Sequence, residues 1–174
     1  MSTIHIRDRK EIIEIHFSDV RKYHGSMALM AIGVGFRVLQ AAFAELYGEE
    51  IPDREDISIL SGHAGPGFRD VFEFVTRAVT RGAYQVDTSY PHGQYDPYRA
   101  QSYSYVITGA HGSKVEVTLK EDFLPMKFYD YLKKGRDGSM TEAELADNER
   151  LKVELCERAL ALPQEKLLLI RRVQ

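Results

Sequence analysis

YHGSMALMAIGVGFRVLQAAFAELY, residues 23–47, decides how this chain is read. A polar opening runs into about twenty residues with hardly a charge among them, rich in good helix formers and ending in a charged tail. That pattern predicts a largely buried helix over 27–47, with Gly48 closing it. Gly33 and Gly35 lie inside the run, where glycine costs about 1 kcal/mol relative to alanine. Two such glycines imply that another element or a ligand comes close to the helix. At the entrance, Ser26 is placed to cap the first turn, Gly25 to admit a close backbone, and His24 to point across the positive helix end.

Working outward, the latter part of 10–23 reads as a short helix leading into that entrance. ISILSG (57–62) is a short apolar run and reads as a buried strand. The loop HAGPG leads to FRDVFEFVTRAVTR (68–81), whose Phe68, Val71, Phe72, Val75 and Val79 recur at helical spacing. TSYPHGQYDPY (88–98) is a tyrosine-rich loop. SYSYVITG (102–109) and SKVEVTLKE (113–121) alternate with period two around AHG, which predicts a hairpin. Val115, Val117 and Leu119 then face one side, with Glu116 on the other. PMKFYDYLKKG (125–135) reads as a short helix, and Thr141 with Glu144 forms a capping box for a longer one. LLLI near the end suggests a last strand or a segment packed on the core or a partner. Helices on a small, largely antiparallel sheet make an α+β fold, one domain over 1–174, with 140–174 its C-terminal helical segment and terminal strand.

Composition narrows the chemistry. The 174 residues are 44% apolar with a formal net charge of −3, which gives no electrostatic footprint for nucleic acid. No apolar run reaches the roughly 20 residues of a membrane span, and the first residues lack the apolar core of a signal peptide, so a cytoplasmic protein is expected. Cys156 is the only cysteine, which excludes an intrachain disulfide and thiolate-rich metal or iron–sulfur centres within one chain. GAHG and GHAGPG lack the spacing of phosphate-binding loops, and the neighbouring His24 and Ser26 do not make a triad.

Candidate site residues gather at the two helix entrances and the tyrosine loop. Tyr23, His24, Gly25 and Ser26 form the first entrance, where free backbone N–H groups favour a small anionic ligand. His63 and Asp70 flank the second, and Tyr90, Tyr95 and Tyr98 surround His92 in the loop. Convergence of His24, His63 and His92 would give a three-histidine site for a divalent metal, zinc above all.

The dipeptide His24–Gly25 before a long apolar helix with AIGVGFR, the strand–loop–helix with GFRDVFEF, and the hairpin with KVEVTL together resemble the FmdE family, whose namesake is a component of formylmethanofuran dehydrogenase. The resemblance spans roughly residues 15–121. It implies an α+β core, pairing as homodimers and a metal site at the first entrance. The family's second histidine is here Ser26, its first-motif cysteine is Ala28, and its second-motif cysteine is Gly67, while Asp70 matches. The thiolate ligands are therefore lost, and no cysteine-rich zinc finger is present. Two readings follow: a small-ligand or metal-binding protein with a degenerate histidine pocket, with or without enzymatic activity, or a non-catalytic accessory module acting through a surface such as its C-terminal helix and LLLIRRV. Converging histidines would favour the first, dispersed ones the second.

Overall fold

The computed structural model describes residues 3–174. It begins with a β-hairpin, β1 (Thr3–Asp8) and β2 (Glu11–His16), pairing Ile4 with Ile15 and Ile6 with Ile13. Ile4, Ile6 and Ile15 are buried in the core. α1 (Phe17–His24) follows directly, as expected of the latter part of 10–23, and ends at Gly25 with φ 95°.

α2 (Leu29–Tyr47) is the expected central helix, with thirteen buried residues. By length and composition it is also long and apolar enough to cross a membrane, at 19 residues and a mean hydropathy of 1.5, which corrects the expectation that no run approaches a span. Its apolar surface is spent on protein, with α3 (Pro66–Thr76), α5 (Glu142–Ala161) and β6 (Lys114–Leu119) packed around it. Its glycines mark those contacts. A Cβ on Gly33 would lie 3.1 Å from Cys156 Sγ on α5, and one on Gly35 would lie 3.3 Å from Phe68 Cδ1 on α3. Arg37, midway along α2, donates to the Ala159 carbonyl at 2.7 Å and so satisfies the end of α5. The entrance differs from expectation. Ser26 is exposed and caps nothing; Ala28 is the N-cap, left-handed at φ 52° with no side-chain bond.

The sheet has the order β4-β3-β5-β6-β7, with β3 (Ser58–Ser61), β4 (Tyr84–Val86), β5 (Ser104–Thr108) and β7 (Leu168–Val173). Only β3 and β4 run parallel. The hairpin read from sequence is β5–β6, and the last strand read from LLLI is β7. α3 stops at Thr76 rather than 81, because Arg77 turns left-handed at φ 58° and closes it; Val79 consequently lies 39% exposed. α4 (Met126–Asp137) runs two residues past its expected end and is closed by Gly138. Thr141 and Glu144 form the expected capping box on α5. The short α6 (Gln164–Leu167) feeds β7.

All of this packs on one face of the sheet. Val115, Val117, Leu119, Tyr103, Tyr105 and Ile107 point into the helical side and are 0% exposed. Tyr103 and Tyr105 join Phe68 and Phe72 in an aromatic cluster that reaches Tyr129 of α4. The hydroxyls of Tyr103, Tyr105 and Tyr129 lie in this cluster without a hydrogen-bond partner.

Candidate functional site

The sequence placed His24 and Asp70 at separate helix entrances, 46 residues apart, and the fold brings them together. His24 closes α1, Asp70 lies in the second turn of α3, and Nδ1 sits 2.7 Å from Asp70 Oδ2. One turn earlier on α3 a glycine makes the approach feasible. A Cβ on Gly67 would lie 2.6 Å from Ala31 Cβ and 3.0 Å from Ala28 Cβ. Arg69 braces the other Asp70 oxygen at 3.2 and 3.3 Å. The carboxylate can only accept, so Nδ1 donates to it and Nε2 is the nitrogen left over. That nitrogen is buried and has no hydrogen-bond partner. The His24 side chain is only 6% exposed, so its ring is held in one orientation and closed off from solvent.

The other two histidines go elsewhere. His63 precedes α3 and is buried, its ring centroid 4.9 Å from Phe68 and 5.0 Å from Tyr103. Its Nδ1 accepts the Gly65 N–H at 2.9 Å, a local turn bond. Burial, with a smaller contribution from Arg99, lowers its pKa to about 3, so the ring is neutral. His92 lies beyond the sheet from both. It pairs at 2.8 Å with Glu116, whose strand neighbours Val115 and Val117 face the helices.

Glu116 is the residue that sequence reading left out of the site. Its buried carboxylate accepts from Tyr90, His92 and Arg171, the last through two guanidinium nitrogens at 3.0 and 3.3 Å. Burial alone would raise its pKa. The bonds from Arg171, Tyr90 and His92 overcome that and hold it at about 2, while burial and the nearby carboxylate push Tyr90 up to about 12. His92, Glu116 and Arg171 form one wall of an open hollow of about 680 Å³ with Tyr95, Thr118 and Leu169. A charge on the non-core side of an alternating strand was the available signal. Its partners, from a loop and a distant strand, were not readable.

The remaining candidates disperse. Tyr23 is exposed against Phe74. Tyr95 donates to the Leu119 carbonyl at 2.8 Å, and Tyr98 bonds Asp130 of α4. Gly25 and Ser26 bind nothing beyond the helix-end bond of Gly25 to Arg21.

The expected metal centre is thereby corrected. Among the described residues no three His, Cys, Asp or Glu side chains come together in a way that could hold an ion. The physical reason is the separation just described. One imidazole is bound to Asp70, one is caged by aromatic rings, and one lies across the sheet on Glu116. Zinc has no donor set among the described residues. The chain matches no family model and no curated protein. The likeness to the FmdE family is therefore unsupported and carries no residue role into this site.

Proposed function

We propose that this protein is a non-catalytic interaction module that pairs with a second copy of itself through the helix-free face of its five-stranded sheet. The dispersal of the histidines supports this over a ligand or catalytic pocket, since no three of them share a space and the buried His24 Nε2 is closed off. The observation that carries the reading is the sidedness of the sheet. Every helix packs on one face; on the other, the loop with Tyr90 and His92 covers Ser104, Glu116 and Thr118, and beside it lie Leu60, Val106, Thr108 and Val173, half-buried, and Leu169 at 54% exposure. Shallow hollows of about 400 and 680 Å³ leave this face ready to receive side chains.

A second copy suits it because the face is complementary to itself end for end. Lys114 is exposed at the start of β6, and Glu121 and Asp122 are exposed just past its end, about 20 Å along at strand spacing. A two-fold axis through the middle of the face sets each lysine against the acids of the other copy. The C-terminal helix is the weaker seam, because its Leu151, Leu155, Cys156 and Ala159 are already buried. Burial of α2 within the core supports a cytoplasmic setting.

Sedimentation equilibrium at micromolar concentration tests the reading. The wild type is expected to be a dimer. Val106→Glu and Leu169→Glu, which place a carboxylate on the face without touching the helical core, are expected to give folded monomers. A monomeric wild type, or variants that remain dimers, would overturn it.

A further inference from the structure

On a different surface, the tip of the β1–β2 hairpin, the segment before β3 and the turn after α3 border an open hollow of about 680 Å³. Arg9, Lys10, Arg54, Arg77 and Arg81 line it. Asp8, Glu11 and Glu55 do too, so five cations face three carboxylates and the lining carries two positive charges net.

Two of the arginines are built into the scaffold. Arg54 donates to the Val75 carbonyl at 3.1 and 3.3 Å, and Arg81 donates to the carbonyls of Thr76, Glu55 and Ile57. Carbonyls satisfy their N–H groups without neutralising their charge. Burial first, then the like charges of Arg77 and Arg81, weaken proton binding at Arg54, with Asp8 at 3.5 Å opposing them.

The backbone supplies a second, independent observation. Arg9 and Arg77 both adopt the left-handed conformation at φ 58°, and both line this hollow. Glycine sits there without the Cβ clash that an arginine bears, and the position after a helix, which Arg77 holds, is the common place for glycine. Each arginine thus occupies a backbone position that suits glycine better, and each lines the same space, Arg77 with its Nε also 3.7 Å from Glu73 Oε2.

We propose that the hollow is a binding site for a small phosphate-bearing polyanion, held by Arg9, Lys10 and Arg77, with Arg54 and Arg81 supplying charge from behind. Guanidinium forks match phosphate oxygens two at a time. The volume is that of a small-molecule site, and Asp8, Glu11 and Glu55 repel a long polyanion such as nucleic acid. The site shares no residue with the sheet face, so neither reading depends on the other.

Isothermal titration of the full chain with inorganic pyrophosphate at low salt tests it. Saturable one-site binding is expected. Arg9→Gly and Arg77→Gly are each expected to weaken it by about tenfold or more, the loss of a charge-assisted contact, while the thermal midpoint holds or rises. Lys10→Ala, at the exposed hairpin tip, should weaken it too. Absence of saturable heat, unchanged affinity in all three variants, or a lowered midpoint in both glycine variants would overturn the assignment. Vesicles of phosphatidylcholine with a phosphoinositide separate the two sources of such a group. Co-sedimentation abolished by the same substitutions identifies a lipid headgroup, and pyrophosphate binding without co-sedimentation identifies a soluble compound.

Discussion

His63 has exchanged water for aromatic rings, and the exchange is felt as an acid sensitivity of the whole fold. Its folded pKa of about 3 lies below the ordinary 6.5. Between those values the unfolded chain binds a proton that the folded chain excludes. Stability therefore falls as the pH drops through that window, by up to about 1.4 kcal/mol per pH unit. Glu116 acts in a lower window, between its ordinary 4.5 and about 2, where loss of its charge removes the bonds that hold it. Denaturant midpoints taken between pH 6.5 and 4.5 isolate the histidine. In His63→Gln, whose amide oxygen can still accept the Gly65 N–H, the slope over that range is expected to be shallower by about one proton. An unchanged slope would mean that His63 takes up its proton while folded.

Among the elements, close approach decides more than propensity does. At Gly67, on α3, an added methyl would meet Ala31 and Ala28 of the neighbouring helix entrance, at 2.6 and 3.0 Å. Neither partner has a flexible end to move. Gly67→Ala is expected to cost about 1–3 kcal/mol through overpacking. Gly135, inside α4, would meet only the far end of Met140, at 3.7 Å. Gly135→Ala is expected to stabilise by about 0.5–1 kcal/mol through helix propensity. Urea unfolding of the two variants checks both signs. The same contrast explains what the sequence made legible. α2, the β5–β6 hairpin, the Thr141 cap and β7 were readable because each follows from local periodicity or a local hydrogen bond. The β1–β2 hairpin was missed although Ile4, Ile6 and Ile15 alternate inward, because charged residues between them blurred the pattern. The end of α3 was missed because Arg77 is not a residue that announces a left-handed turn. At the site, the pairing of His24 with Asp70 depends on the fit of α1 against α3, and that of His92 with Glu116 on a loop crossing the sheet; neither has a sequence spacing.

For the whole molecule, a sheet with helices on one side only raises the question of whether stability depends on concentration. If two copies pair across that face, the thermal midpoint rises with protein concentration, because dilution favours the separated and then the unfolded chain. Calorimetry across a hundredfold dilution should show that drift in the wild type, and Val106→Glu should abolish it. A midpoint independent of concentration in both would leave the face as one that simply meets water, as antiparallel sheets commonly do.

The three phenol groups sealed in the aromatic cluster have an optical consequence. Burial holds the hydroxyls of Tyr103, Tyr105 and Tyr129 far from ionisation. A jump to alkaline solution therefore divides the ultraviolet signal of phenolate into an immediate burst from the surface and a slow rise from the interior. The slow rise can go no faster than the aromatic cluster parts, so the protein carries its own recorder of how often its centre opens.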